Sequence, residues 1–148
     1  MQEKTSVERI WGEFVVQVFR LNGLYITVGN KLAKPAGQTS ARWQVLATVY
    51  GQARTVSETA RHMGLTRQSV QRIANVLVDD GLVTIKDNQS DKRAPILHIT
   101  KKGKLAMQKI AVAQMKQARE WSEKMPSKTL IETTKTLQTI ENICRKSK

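Results

Sequence analysis

A run of polar side chains between Thr66 and Arg72 has the residue types that recognise DNA bases. Arginine and glutamine form paired hydrogen bonds with the edges of guanine and adenine in the major groove. A threonine at the start of the run can cap a helix, and the free N–H groups of that helix's first turn favour a phosphate. The residues predicted to contact DNA in this stretch are Thr66, Arg67, Gln68, Ser69, Gln71 and Arg72.

The surrounding pattern predicts two short helices joined by a tight turn. Ala60 is small enough for the helices to cross closely, and Gly64 can adopt the positive φ that the turn needs. Val70 and Ile73 recur at helical spacing, which packs the second helix onto the first. The pattern therefore indicates a helix-turn-helix that presents the polar run to solvent. A solvated polar face without a nucleic-acid partner is the alternative interpretation.

Two short strands, "LVTIKD" and "PILHIT", are predicted directly after this unit, with the polar loop "NQSDKRA" between them. A hairpin in this place is a wing, whose tip approaches DNA. Arg93 is expected at a narrow minor groove, where the potential is most negative, and Lys92 near the phosphates. Asp91 is expected to turn back and hold Arg93 or an arginine of the preceding helix. The alternative is a polar hairpin tip with a surface ion pair of little energetic value.

The charge of the chain favours a polyanionic partner. The 148 residues include 25 Lys and Arg against 12 Asp and Glu, a net charge of +13. A domain this basic usually binds nucleic acid, and an anionic membrane surface is the second option.

No apolar run approaches the roughly 18–20 residues of a membrane span, and no signal-peptide core is visible. With the single Cys144 no internal disulfide can form, which favours a reducing cytosol. A cytoplasmic protein is therefore expected.

Helices are predicted on both sides of the winged helix. Apolar spacing predicts a first helix over about residues 6–29, with a capping box at Thr5. A second helix is expected to place Trp43, Leu46, Ala47 and Tyr50 inward. Thr100 begins a later helix, and Ser127 is expected to cap the last one.

The apolar faces of the terminal helices exceed what a small winged helix can cover, so a homodimer with twofold symmetry is expected. The alternative is that these faces cover each other within one chain.

No catalytic or metal site is predicted, and neither a cofactor nor an enzymatic activity is expected. His62, His98 and Cys144 lack metal-ligand spacing, and no catalytic triad, carboxylate pair or phosphate loop is present. Cys144 has basic neighbours and could serve as an oxidant sensor. An apolar position at the dimer contact is the preferred interpretation of this cysteine.

The segment "DKRAPILHITKKG", residues 91–103, resembles the wing signature of MarR-type transcription regulators. The resemblance extends upstream through "TARHMGLTRQSVQRIANVLVDDGLV". It implies a mainly α fold with a small β-hairpin wing, in which a winged helix-turn-helix is flanked by N- and C-terminal dimerisation helices. We expect a single domain over residues 1–148, with a DNA-binding lobe at 38–102 and a helical dimerisation region at 1–37 and 103–148. Pro95 departs from the family's pattern and is expected to shorten or stiffen the wing.

The resemblance implies a ligand-responsive repressor that binds a pseudo-palindromic operator in double-stranded DNA as a homodimer. The recognition helix would enter the major groove and the wing arginine the minor groove. A small aromatic effector is expected between the dimer region and the winged helix, with Trp11, Trp43 and Tyr50 as candidate lining residues. Core packing is the alternative for these three. A nonspecific nucleoid protein and a winged helix that binds another protein are the alternative functions.

Overall fold

The computed structural model describes residues 6–147, which form six helices and three short strands. A 3-10 turn at Lys34–Ala36 follows the first helix. The predicted fold class, mainly α with a small β wing, is confirmed. The helices are α1 (Ser6–Ala33), α2 (Ser40–Tyr50), α3 (Val56–Met63), α4 (Arg67–Asp79), α5 (Lys101–Ser122) and α6 (Ser127–Lys146), and the strands are β1 (Arg54–Thr55), β2 (Val83–Lys86) and β3 (Ile96–Ile99).

The chain divides into two compact units, one that ends at Ala111 and one that begins at Val112. The first unit holds α1 to α4, the three strands and the first half of α5. The second unit holds the rest of α5 and α6. The winged helix and its core therefore lie in the first unit.

The core of the first unit lies between α2, α4 and the strands. Its fully or almost fully buried side chains are Val45, Leu46, Val49, Ala74, Leu77, Leu82, Val83 and Leu97. The prediction that Ala47 and Tyr50 face inward is wrong, since both are exposed. At about 100° per residue, the three buried apolar residues of α2 define a stripe whose centre lies roughly a quarter turn from Tyr50.

The helix-turn-helix consists of α3 and α4, joined at Gly64. This glycine has φ of 67°, and the N–H of Leu65 bonds the carbonyl of Ala60 over 3.0 Å. Val70 of α4 is fully buried. The predicted turn glycine is confirmed, because its positive φ is a conformation that residues other than glycine rarely adopt.

The three strands form one antiparallel sheet in the order β1-β3-β2. Leu97, in the middle strand, lies opposite Ile85 on one side and Arg54 on the other. The two residues of β1 were not predicted as a strand, because a segment this short shows no alternation. Through β1 the base of the wing is hydrogen-bonded to the segment that leads into α3.

The end of α4 and the start of α5 meet at Thr100. Its hydroxyl lies within hydrogen-bond distance of the carbonyls of Gly81 (2.8 Å) and Leu82 (3.1 Å), and it accepts the N–H of Gly103 over 3.0 Å. A Cβ at position 103 would collide with the carbonyl oxygen of Leu82. Glycine is therefore required here by close packing against the backbone.

Two helix ends differ from the prediction. The first helix continues to Ala33 because Gly29 lets α1 approach Ser40 closely, and the side chain of Asn30 accepts the N–H of Ser40 over 2.8 Å. The expectation that Ser127 caps the last helix is wrong. Pro126 occupies the capping position, and no side chain caps α6 there. The capping box predicted at Thr5 lies outside the described residues.

Several apolar side chains of α1 are exposed, among them Ile10 (58%), Phe19 (71%) and Leu24 (63%). In the second unit, Leu130 and Ile143 of α6 are also more than half exposed. Within residues 6–147, no helix combines the length and the apolarity that crossing a bilayer requires.

Candidate nucleic-acid interface

The polar run predicted from the sequence lies on the exposed side of α4. Arg67, Gln68, Gln71 and Arg72 are all exposed, whereas Val70, Ala74 and Leu77 on the opposite side are buried. The helix thus packs one face into the core and leaves arginine and glutamine side chains free to meet a ligand.

Thr66 orders the first turn of α4. Its Oγ1 accepts the N–H of Ser69 over 3.1 Å and donates its own hydrogen to Oγ of Ser69 over 2.9 Å. The predicted cap is confirmed. Because its oxygen accepts from Thr66, the Ser69 hydroxyl keeps its hydrogen for an external acceptor such as a phosphate oxygen.

Asn75 belongs to the same exposed face, one turn beyond Gln71, and was not among the predicted residues. Nε2 of Gln71 donates to Oδ1 of Asn75 over 2.8 Å. The i, i+4 spacing of two amide residues was the signal in the sequence that indicates such a pair.

The wing loop, residues 87–95, is held by its own side chains. Asn88 accepts the N–H of Ser90 and donates to the carbonyl of Ala94, each over 3.0 Å. Oδ1 of Asp91 accepts the backbone N–H of Arg93 over 3.0 Å, and within residues 6–147 Asp91 forms no ion pair with an arginine. Asp91 therefore shapes the turn through the backbone, and both Lys92 and Arg93 are exposed at its tip.

A groove of about 310 Å³ lies between the helix-turn-helix and the wing. It brings together part of the predicted set: Arg67, Gln68 and Gln71 from α4 and Arg93 from the wing. Ser69, Arg72 and Lys92 are exposed but do not line it. The remaining lining residues, from the start of α3 and from the wing, are Thr55, Val56, Ser57, Ala94 and Pro95.

The start of α3, beside this groove, holds a capping box that the sequence analysis did not identify. The carboxylate of Glu58 accepts the N–H of Thr55 over 2.8 Å and its hydroxyl over 3.0 Å. These bonds, with Arg54 and Arg61 nearby, hold the pKa of Glu58 below its usual value. The carboxylate is therefore ionised at neutral pH and bound to its own helix.

The aromatic candidates for an effector pocket lie apart from the cavities described. Trp11 is 46% exposed and packs edge-on against Phe14, with ring centroids 5.8 Å apart. Trp43 is half-buried and Tyr50 exposed. A cavity of about 370 Å³ in the first unit is lined instead by Ala36, Gln38, Asp80, Leu82, Lys102, Leu105, Ala106 and Lys109.

Cys144 is exposed on α6, and the neighbouring Arg145 bonds the carboxylate of Glu141 at 2.7 and 2.9 Å. His62 is exposed, and His98 is half-buried in β3. No group of three or more histidines, cysteines and carboxylates in residues 6–147 has the arrangement of a metal site.

Comparison with known proteins identifies the same region. A model of the MarR family matches residues 36–94, which include the helix-turn-helix and most of the wing. The uncharacterized protein Rv2011c of Mycobacterium tuberculosis is 43% identical over 96 residues, which are 65% of this chain and 67% of that protein. The HTH-type transcriptional regulator PetP of Rhodobacter capsulatus is 38% identical over 60 residues, covering 40% of this chain and 36% of PetP.

Solved structures share the fold over most of the chain. Staphylococcus aureus MarR, in complex with salicylate and kanamycin, has a TM-score of 0.80 at 18% identity and covers 96% of this chain and 97% of that one. The M. tuberculosis regulator MOSR, in complex with DNA, has a TM-score of 0.73 at 23% identity and covers 88% and 97%. All three proteins thus have a winged helix and long flanking helices.

Proposed function

The chain belongs to the MarR family of transcription regulators, and from this premise we propose that it represses transcription by binding an operator in double-stranded DNA. In this proposal α4 is the recognition helix and enters the major groove, while Arg93 of the wing reaches the adjacent minor groove. Family members regulate transcription and are not enzymes, which agrees with the expectation from the sequence.

The groove between α4 and the wing is the observation that carries the proposal. Its described lining has two arginines, Arg67 and Arg93, and no carboxylate. The net charge of +13 adds a long-range attraction for a polyanion. Amide side chains on the same face supply the donors and acceptors that distinguish one base pair from another.

The test is a selection of binding sites from random DNA by the purified protein, followed by a salt titration on the enriched duplex. We expect a pseudo-palindromic site and an affinity that falls steeply between about 50 and 200 mM salt. Equal affinity for enriched and scrambled duplexes would instead support the nonspecific nucleoid protein, which the high net charge also favours. A winged helix that binds protein would show no salt-dependent affinity for either duplex.

We further propose that the regulator acts as a homodimer built from residues 1–37 and 103–148. The exposed apolar side chains of α1 and α6, such as Phe19 and Leu130, support this, because a face of this kind is stable in water when a second copy covers it. In such a dimer two recognition helices would lie roughly 34–36 Å apart, which is one turn of DNA.

Light scattering on the protein as it elutes from a size-exclusion column measures the oligomeric state. We expect a dimer, and Phe19→Glu should yield monomers, because it places a charge within the proposed contact. Arg20→Glu, a charge change at the next position, is the control. A monomeric parent protein at micromolar concentration contradicts the dimer.

We also propose a small aromatic effector, supported by the salicylate bound to the S. aureus relative and by the cavity of about 370 Å³. Trp11, Trp43 and Tyr50 do not line this cavity, and their place at an effector site stays a prediction. Salicylate should quench tryptophan fluorescence and release the enriched duplex over the same concentration range. If the duplex stays bound while salicylate saturates the protein, the molecule is no effector.

A further inference from the structure

The side chains of Gln71 and Asn75 form a hydrogen bond on the exposed face of α4. Both side chains lie on the polar side of α4, one turn apart, and Nε2 of Gln71 donates to Oδ1 of Asn75 over 2.8 Å. Gln68 has the same side chain on the same face, yet its amide group forms no hydrogen bond with another side chain or with the backbone within residues 6–147. The two glutamines therefore differ in how far the protein itself orients them.

The orientation of a glutamine amide decides what it can recognise. An amide group carries an oxygen acceptor and two N–H donors, and adenine offers an acceptor and a donor side by side in the major groove. In the structure this bond uses one N–H of Gln71 and directs the nitrogen end of its amide toward Asn75. One N–H and Oε1 stay available, and this is the donor and acceptor combination that matches adenine.

We propose that Asn75 is a positioning residue that orients the amide of Gln71 toward adenine in one base pair of each half-site. The inference rests on the proposed function, since it requires α4 in the major groove. Gln71 lines the groove beside the wing, where DNA is expected. Pre-orientation lowers the conformational entropy that Gln71 loses on binding and disfavours the bases that would need a reversed amide.

The experiment is a selection from random DNA with the full-length protein, repeated for four variants. Gln71→Ala should lower the preference for adenine at one position of each half-site by about 5- to 150-fold. Asn75→Ala should lower the same preference by about 2- to 10-fold. Gln108→Ala, which removes an exposed glutamine of α5 that does not line the groove, is the control and should leave that position unchanged. Asn75 is exposed, so an unchanged melting temperature is expected.

Asn75→Asp separates positioning from direct contact. A carboxylate keeps the acceptor for the N–H of Gln71, so the adenine preference should persist. The added negative charge should weaken binding to every sequence and so lower the total affinity. If Asn75 contacted a base through its own NH₂ group, Asn75→Asp would lose the preference as Asn75→Ala does.

Three outcomes overturn the inference while leaving the proposed function intact. In the first, Asn75→Ala weakens binding equally to all sequences and keeps the adenine preference. In the second, Asn75→Ala and Gln71→Ala change different positions of the site. In the third, Asn75→Asp behaves like Asn75→Ala. If the parent protein enriches no sequence, the proposed function itself is wrong, and the inference falls with it.

Discussion

Lys102 donates a hydrogen bond from its ammonium group to the main-chain oxygen of Asp80 over 2.7 Å. Asp80 is the C-terminal cap of α4, and its carboxylate also accepts a hydrogen bond from Arg42 of α2 over 3.2 Å. The end of α4 is therefore held from two other helices. This contact restrains the direction of α4 at the end opposite to the Thr66 cap.

The bond from Lys102 should contribute measurably to stability. Lys102→Met keeps most of the aliphatic length and removes the donor, so we expect the free energy of unfolding to fall by about 0.5–1.5 kcal/mol. Urea denaturation measures this change. The neighbouring Lys101→Met, which removes the same charge from the same helix, should change the free energy of unfolding by less than about 0.5 kcal/mol. Equal losses in the two variants would contradict the assigned role.

Gly103 is required by the packing of α5 against Leu82. Gly103→Ala adds a methyl group that collides with the backbone carbonyl, which cannot move without disturbing β2. We expect a loss of about 1–3 kcal/mol or more, in spite of the better helix propensity of alanine. Lys104→Ala, an exposed position on the same helix, is the control in the same denaturation experiment. A stabilised Gly103→Ala would show that the close approach does not exist in solution.

The capping box at the start of α3 gives stability a dependence on acidic pH. The bonds from Thr55 hold the pKa of Glu58 below its ordinary value of 4.5, so the folded state holds this proton less tightly than the unfolded state. The stabilisation is therefore present above pH 4.5 and is lost as the pH falls through the lower folded pKa. Thermal melts between pH 3 and 7 should show a difference between the parent and Glu58→Gln at neutral pH that shrinks in acid. A difference that is constant with pH contradicts the linkage.

The wing arginine should contribute to DNA affinity on every sequence. Arg93→Ala removes one cation from the groove, so we expect weaker binding at physiological salt and a salt slope smaller by about one unit. Fluorescence anisotropy on the enriched duplex at several salt concentrations measures both quantities. Lys135→Ala removes the same charge from α6 and should leave them unchanged. If Arg93→Ala binds as tightly as the parent, the proposed role of the wing is wrong.

Gln68 and Arg72 of α4 should affect the choice of DNA sequence. Gln68→Ala and Arg72→Ala each remove a side chain capable of paired hydrogen bonds with a base. We expect a change of roughly 1–3 kcal/mol in discrimination at the contacted base pair, with a smaller change on scrambled DNA. Competition binding with single-base variants of the site measures this difference. A uniform loss on all duplexes would assign these residues to the phosphate backbone.

The sequence predicted local structure correctly at positions where the backbone conformation permits only a few residue types. Gly64 and Thr66 were predicted because a left-handed turn and a helix start each restrict the residue types that fit. The end of α1 was predicted too early because Gly29 and Asn30 look like helix breakers. Their reasons are tertiary: a close approach to Ser40 and a hydrogen bond to its N–H.

The composition of the site was harder to predict than its position. The polar run on α4 was predicted from residue types alone. Thr55 and Arg93 line the same groove as this run because β1 pairs with β3 of the wing. A strand of two residues has no periodicity to recognise. Asn75 was missed because the run was read only to Arg72, although the i, i+4 spacing from Gln71 was visible.

The pairing of Leu97 with strands on both sides determines where the wing can accept an insertion. Because Leu97 is fully buried, an insertion in β3 that shifts its register by one residue would turn this side chain toward water, together with the residues shifted with it. An insertion in the loop at residues 87–95 leaves that alternation untouched. Insertions or deletions in the loop alone can therefore lengthen or shorten the reach of the wing, while the sheet that supports it keeps its register.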